Sequence, residues 1–209
     1  SAQDYSKYSE DALKKILKEI AVVESKVLMP MRDGIGLSSD IYRPKDAEGT
    51  VPTIFVRTPY NMNTLRGTTL RNTVEAVSRG YAYVLQNERG RYFSEGKFEI
   101  LGYPRTDGYD ALDWISGQSW SNSKVGTIGC SSTAEWQHGL AAMDHPAHAA
   151  MIPQASGEGD TRCGSGMAAI PPAKCRARDQ HMRTVGIGRG ALKFLPNFFS
   201  NFRSKFRSL

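Results

Sequence analysis

The clearest chemistry in this sequence lies where a short apolar strand runs directly into a serine. Residues 125–129 have the pattern of a buried strand, Ser131 follows, and residues 132–143 have a helical pattern. A serine on a tight strand-to-helix turn projects its hydroxyl above the sheet, where it can attack a carbonyl carbon. The turn is crowded, so the residues two before and two after the serine must be small. Gly129 meets this requirement, whereas Thr133 replaces the usual glycine.

Two neighbours of Ser131 compete with it for the role of nucleophile. Ser132 fits less well, because Cys130 rather than a glycine lies two residues before it. We predict that Cys130 is a buried apolar thiol. A serine after a strand is also a common helix N-cap, so this pattern alone leaves nucleophile and cap open. If Ser131 is the nucleophile, the backbone amide of Ser132 can donate to the developing oxyanion.

A serine hydroxyl needs a general base to become a good nucleophile, and the sequence contains four histidines. His138 follows Ser131 by about two helical turns and is predicted to point elsewhere. His145 and His148 flank the turn into the next predicted strand, where we expect them to face solvent or cap the turn. The remaining histidine is His181.

Only Asp179 and His181 follow the serine in the order acid and then histidine that such sites use. Their spacing of two residues is short for a pair that normally comes from separate strands. Two alternatives therefore stay open. Either Asp179 and His181 complete the site, or the acid and the base are absent from this sequence.

The elements predicted around the serine turn alternate between strands and helices, which favours parallel strands with helices on both faces. Residues 32–34 form a strong hairpin signal between the first two strands. The predicted helices are 9–20, 70–79, 108–115 and 132–143, and the predicted strands are 25–31, 35–42, 53–56, 81–86, 125–129 and 149–152.

Charge divides the chain near residue 157. Residues 1–156 contain 17 basic and 18 acidic side chains, whereas residues 157–209 contain 10 basic and 3 acidic ones. We therefore predict a core domain at 1–156 and a divergent basic tail at 157–209. Within the tail, the apolar residues of 195–209 have the spacing of one helix face, which predicts a basic amphipathic helix.

Several further motifs occur in one order along residues 25–156. They are residues 29–34, 40–44, 57–60, 86–96, 107–114 and 117–120. Together with the serine turn, they resemble the superfamily of cocaine esterase, X-prolyl dipeptidyl peptidase and α-amino-acid ester hydrolase. The resemblance implies an α/β-hydrolase fold with a mostly parallel sheet, and it aligns Ser131 with the family nucleophile.

The resemblance also implies roles for residues outside the serine turn. The hydroxyl of Tyr60 aligns with a family tyrosine that donates to the oxyanion, opposite the Ser132 amide. Without the resemblance, Tyr60 would be interpreted as a packed loop aromatic. Arg89 and Arg91 are interpreted as structural residues that brace their loop. The carboxylates on the helix before the serine turn are predicted to be surface or capping groups: Asp107, Asp110 and Asp113.

The resemblance ends near residue 156, so the fold is predicted to be truncated relative to the family. Family members continue with a helical cap, the rest of the sheet and a jelly-roll domain, none of which is recognisable in residues 157–209. A truncation, a frameshift, a fusion or a replacement that closes the fold in another way would each explain such a tail.

The sequence therefore predicts a serine hydrolase that cleaves a small-molecule ester or amide, with no metal or organic cofactor. The alternative is a non-catalytic, hydrolase-like protein whose basic tail mediates oligomer or surface binding. A homo-oligomer is expected, because a truncated sheet exposes an edge. Binding to a membrane surface is less favoured, and nucleic-acid binding is not expected because no motif supports it.

The cysteines and the first residues bear on the cellular compartment. Three cysteines rule out complete pairing. Cys163 and Cys175 could pair in an oxidising compartment, although free thiols are the simpler expectation. The small, polar start of the sequence is compatible with signal-peptide cleavage, which favours a periplasmic or secreted location over a cytoplasmic one.

Overall fold

The computed structural model describes residues 4–100 and 105–155, and the backbone of residues 183–184. Several sequence predictions lie outside these described residues. They are the acid–base pair Asp179 and His181, the cysteines Cys163 and Cys175, and the amphipathic helix at 195–209.

Six strands and one short bridge form a single mixed sheet. The strands are β1 (Ala21–Pro30), β2 (Gly36–Pro44), β3 (Val51–Thr58), β4 (Ala82–Asn87), β5 (Ser121–Cys130), β6 (His148–Gln154) and the two-residue β7 (Arg183–Thr184). Their order is β1-β2-β4-β3-β5-β6-β7. The strand β2 is antiparallel to both of its neighbours, whereas all pairs from β4 to β7 are parallel. The predicted, mostly parallel sheet is confirmed.

The β1–β2 hairpin turns where the sequence predicted. Gly34 has a φ of 84°, which a residue with a side chain rarely adopts. The amide of Met31 donates to the carbonyl of Ile35 at 2.8 Å and closes the turn. Further along β1, the register shifts between Glu24 and Val27. This bulge kinks the strand that forms one edge of the sheet.

Four α-helices and one 3₁₀ turn accompany the sheet. They are the 3₁₀ turn Tyr5–Lys7, α1 (Glu10–Ile20), α2 (Gly67–Ser78), α3 (Thr106–Ser116) and α4 (Ser132–Ala142). Helix α1 begins after Ser9, whose hydroxyl accepts a hydrogen bond from the amide of Ala12 at 3.3 Å. None of the helices in the described ranges is both long and apolar enough to cross a bilayer.

The helices cover both faces of the sheet and form two separate cores. Adjacent residues of β3 point to opposite faces, so that Ile54 belongs to one core and Phe55 to the other. The first core joins α1 and α2 to the sheet through Leu13, Leu17, Leu70, Val74 and Leu85. The second joins α3 and α4 through Val84, Leu112, Ile115, Trp136 and Leu140. Covered on both faces, the central strands show continuous apolar runs.

Candidate active site

The candidate site lies at the carboxyl ends of two neighbouring parallel strands. Strand β3 pairs with β5 through Ile54–Gly126 and Phe55–Thr127. The loop after β3 therefore lies beside the turn after β5. Tyr60 belongs to that loop and Ser131 to that turn. The carboxyl edge of such a sheet is where ligands of open α/β folds bind.

Ser131 has a strained backbone, and its hydroxyl does not cap the helix that follows it. Its φ is 56° and its ψ is −126°, and its side chain makes no capping hydrogen bond to α4. Ser9, at the start of α1, has an ordinary φ of −67° and a hydroxyl that caps the helix. Two serines at helix starts thus behave differently. The positive φ of Ser131 differs from the extended backbone of a serine that caps a helix, such as Ser9.

The turn requires glycine at position 129 because the chain approaches itself closely there. A Cβ on Gly129 would lie 1.9 Å from the carbonyl oxygen of Thr133. Thr133 itself fits where the usual motif has glycine, because its hydroxyl is used inside the turn. That hydroxyl accepts from the amide of Cys130 at 2.6 Å and donates to the carbonyl of Cys130 at 2.7 Å.

Tyr60 contacts the residue that follows the candidate nucleophile. Its hydroxyl lies 2.9 Å from Oγ of Ser132, within hydrogen-bonding distance. The backbone of Tyr60 is held by other groups, since its amide donates to Oγ1 of Thr58 and its carbonyl accepts from Nδ2 of Asn87. The structure therefore brings together three of the predicted site residues, Ser131, Ser132 and Tyr60.

A buried polar cluster supports the turn from beneath. With the Gln137 amide oriented to satisfy both of its ends, Nε2 donates to Oγ1 of Thr127 at 2.9 Å and Oε1 accepts from the amide of Gly129 at 3.0 Å. Oγ1 of Thr127 also lies 3.0 Å from Nε2 of His148. The cluster links β5, α4 and β6, and it contacts the turn through the amide of Gly129.

The two histidines near the turn into β6 agree with the predictions only in part. His145 and His148 are both buried rather than solvent-facing, whereas His145 caps the turn, which was the other predicted role. Nε2 of His145 bonds to the carboxylate of Asp113 at 2.9 Å, and its Nδ1 accepts from the amide of Ala147. The prediction failed because it took a polar residue near a turn to be exposed. His138 lies half-buried on α4, and burial lowers the pKa of its imidazole.

A buried ion network lies behind the site. Asp107, with no exposed surface, accepts from the equally buried Arg57 at 3.0 Å and from Nη2 of Arg89 at 2.7 Å. Arg89 also bonds to Asp33 in the hairpin turn, and this contact lowers the pKa of the Asp33 carboxyl. The network ties β3, α3 and the loop after β4 to the β1–β2 turn, so the predicted bracing of that loop by Arg89 agrees with the geometry.

The prediction that the α3 carboxylates are surface groups was wrong for two of the three. Asp107 is fully buried, and Asp110 is buried against Arg32, whose Nη2 lies 2.6 Å from its Oδ1. The side chain of Asp113 is 63% exposed and fits the prediction.

Glu88 is a buried carboxyl beside this network. Burial raises its pKa, and the charges of Arg57 and Arg91 oppose that shift only in part. Burial also lowers the pKa of the Arg57 guanidinium, against the attraction of Asp107. Nε of Arg91 donates to the carbonyl of Pro59 at 2.9 Å, so Arg91 braces the loop that carries Tyr60.

Cys130 is exposed, so the prediction of a buried thiol was wrong. Cys130 is the last residue of β5 and still pairs with Gln154 of β6, so it lies at the carboxyl edge of the sheet rather than within the covered part of the strand. Asp179 and His181 lie outside the described residues, and their role stays a prediction. Within residues 4–100 and 105–155, no cluster of three or more histidine, cysteine or acidic side chains could hold a metal ion.

The strand order, the helices on both faces and the strand–Ser131–helix turn define an α/β hydrolase. Comparisons with known proteins give the family. The model of the X-Pro dipeptidyl-peptidase (S15) family matches residues 33–167, and the chain belongs to this family.

Individual relatives agree with this assignment. Cocaine esterase from Rhodococcus sp. (strain MB1 Bresler) is 41% identical over 119 residues, which are 55% of this chain and 21% of the esterase. A CocE/NonD family hydrolase from Staphylococcus aureus superposes with a TM-score of 0.59 at 26% identity, covering 65% of this chain and 28% of that one. An α-amino acid ester hydrolase gives a TM-score of 0.57 at 28% identity, covering 74% and 28%.

The chain corresponds to an N-terminal segment of these larger proteins, since it spans about a fifth of the curated relative. The predicted family and fold are confirmed.

Proposed function

We propose that this chain is a serine hydrolase that cleaves small-molecule esters or amides through an acyl-enzyme on Ser131. The observation that carries the proposal is the strained backbone of Ser131, whose hydroxyl does not cap α4, beside Tyr60 and Ser132. A serine with a φ of 56° costs about 1–3 kcal/mol and persists where function requires it.

The proposed reaction has two halves. Oγ of Ser131 bonds to the carbonyl carbon of the substrate while its proton passes to a general base. The Tyr60 hydroxyl and the Ser132 amide donate to the oxygen that becomes negative. The carbon–oxygen or carbon–nitrogen bond to the leaving group then breaks, and the leaving group takes the proton from the base. Water attacks the acyl-enzyme in the second half, releasing the acid and restoring Ser131.

We assign the general base to His181 and its orienting acid to Asp179. The support is their order after Ser131, which is the order of α/β hydrolases. In family members these two groups come from later strands. The alternative is therefore a core that has the serine turn but lacks the acid and the base.

The named relatives support both substrate classes. One is a cocaine esterase and another an α-amino acid ester hydrolase, and the family model describes an X-Pro dipeptidyl-peptidase. An ester and an amide share the same tetrahedral intermediate, so one site of this kind can serve either. Homo-oligomerisation stays part of the proposal, as predicted from the sequence.

A labelling experiment tests the proposal. The wild-type chain, Ser131→Ala and Cys130→Ala are treated with a fluorophosphonate probe, and their intact masses are measured after near-UV circular dichroism confirms folding. We expect one adduct on the wild type and on Cys130→Ala, and none on Ser131→Ala. Cys130→Ala is the matched control, because it removes the exposed thiol next to the nucleophile.

Two other outcomes would contradict the proposal. An adduct lost in Cys130→Ala would make the thiol the reactive group. A folded wild type that forms no adduct would support the alternative, a non-catalytic protein with a hydrolase fold. If labelling occurs, His181→Ala is expected to abolish it, because an unassisted serine hydroxyl is a weak nucleophile.

A further inference from the structure

The hydroxyl of Ser132 is the only side-chain partner of the Tyr60 hydroxyl within the described residues. Tyr60 is 58% exposed, so packing alone leaves its ring free to take other rotamers. Its backbone, by contrast, is fixed by Thr58 and Asn87. The direction of the phenol therefore depends on the hydrogen bond to Ser132.

Ser132 is well placed to fix that direction. It is the first residue of α4 and follows directly after the strained Ser131, so its own position is set by the turn. Two hydrogen bonds hold this turn. The Thr133 hydroxyl accepts from the amide of Cys130, and the amide of Ser131 donates to the carbonyl of Gln154 at 2.9 Å. A rigid element thus holds the end of an exposed side chain.

Each of the two hydroxyl groups has a single hydrogen, and this determines which oxygen must donate during catalysis. A phenol has one hydrogen and an oxygen that can still accept. If Tyr60 gives its hydrogen to the oxyanion, the bond between the two hydroxyls survives only with Ser132 as the donor. A phenol that accepts a hydrogen bond becomes a stronger donor, because linked hydrogen bonds polarise one another.

We propose that the Ser132 side chain is a positioning residue, which holds the Tyr60 phenol and donates to its oxygen while Tyr60 donates to the oxyanion. This inference rests on the proposed function, in which Tyr60 and the Ser132 amide bind the oxyanion. Ser132 then acts twice, directly through its amide and indirectly through its hydroxyl.

The proposal predicts a defined set of rates. Ser132→Ala should lower kcat about fivefold, the typical worth of one neutral hydrogen bond, with little change in KM. Tyr60→Phe should lower kcat about 10²- to 10³-fold, as loss of an oxyanion donor does. Ser132→Thr keeps a hydroxyl and should restore most of the wild-type rate. Ser116→Ala, a serine with only a local bond on α3, is the matched control and should react like the wild type.

The deciding comparison is a double-mutant cycle with p-nitrophenyl acetate as substrate and fluorophosphonate labelling as a second readout. Because Ser132 acts through Tyr60, adding Ser132→Ala to Tyr60→Phe should cause no further loss. If Ser132 only stabilised α4, the substitution would slow both backgrounds by the same factor.

The outcomes separate the inference from the proposed function. Labelling of the wild type at Ser131, with a non-additive cycle and rescue by Ser132→Thr, supports both. Labelling with an additive cycle, or with Ser132→Ala as fast as the wild type, overturns the inference and leaves the hydrolase proposal standing. A folded wild type that neither labels nor hydrolyses the ester overturns both.

Discussion

Ser131 occupies a backbone conformation that costs about 1–3 kcal/mol, and its immediate neighbours hold it there. The amide of Ser131 donates to Gln154 on β6, and the Thr133 hydroxyl closes the turn on Cys130. Gly129 provides the space for this arrangement. The geometry of one residue is thus maintained by a strand, a turn and a missing side chain.

Gly129→Ala is expected to abolish fluorophosphonate labelling and to destabilise the fold. The new methyl group would lie 1.9 Å from a backbone oxygen, which cannot move without displacing the start of α4. Labelling and thermal unfolding measure both effects.

Gly139→Ala is the matched control for that substitution. Gly139 lies on α4, whose start the substitution at Gly129 would displace, but a Cβ at Gly139 would meet only the Arg105 side chain at an ordinary 3.6 Å. Alanine is the better helix former, so this variant should keep its labelling and be as stable as the wild type or more so. Equal labelling of both variants would show that the turn tolerates a side chain at position 129.

At the scale of elements, α3 shows why the surroundings of a site are harder to predict than its centre. Its apolar spacing predicted the helix, which the structure extends by two residues at its start and one at its end. Its carboxylates, however, are buried by arginines 50 and 78 residues away in the chain, on β3 and in the hairpin turn. The spacing of residues within the helix therefore cannot predict which distant side chains will bury its carboxylates.

Asp107→Asn is expected to lower the free energy of unfolding by about 3–5 kcal/mol, because it leaves the buried Arg57 without its charge partner. Asp113→Asn, on the same helix, should cost less than about 1 kcal/mol, since the Asp113 side chain is 63% exposed. Urea unfolding of both variants gives the comparison. Similar losses would mean that the Arg57–Asp107 contact contributes no more than a surface pair.

The strand predictions succeeded for a related physical reason. The central strands, which are covered on both faces, show apolar runs whose ends are marked by glycine or proline. The hairpin signal at residues 32–34 indicated β1 and β2, so all six principal strands were found. The ends were missed where hydrogen bonds extend a ladder beyond the apolar run. Strand β1 begins at Ala21, four residues before its predicted start, because Ala21 pairs with Pro44.

For the whole molecule, the network around Asp107 relates global stability to pH. Its two arginines, Arg57 and Arg89, already pair with Asp107 and Asp33, and Oε2 of the buried Glu88 has no hydrogen-bond partner within the described residues. Burial accordingly raises the pKa of Glu88. Its protonated form is favoured in the folded state. This contribution to stability is complete below the unfolded pKa of about 4.3, and it is lost as the pH rises through the folded pKa.

Glu88→Gln is therefore expected to unfold at a higher urea concentration than the wild type at pH 7. At pH 4, where Glu88 is mostly protonated in both states, the two midpoints should converge. Chemical unfolding at the two pH values measures the difference. A variant less stable than the wild type at pH 7 would show that attraction to Arg57 outweighs the effect of burial.

The bond from the Ser131 amide to Gln154 has a consequence for biosynthesis. A chain is made from its N-terminus, so β5 and the serine are synthesised before the strand that fixes them. A nascent chain ending before residue 154 contains Ser131 but lacks one of the contacts that hold its backbone conformation. The final conformation of Ser131 therefore depends on a contact that forms only after β6 has been synthesised.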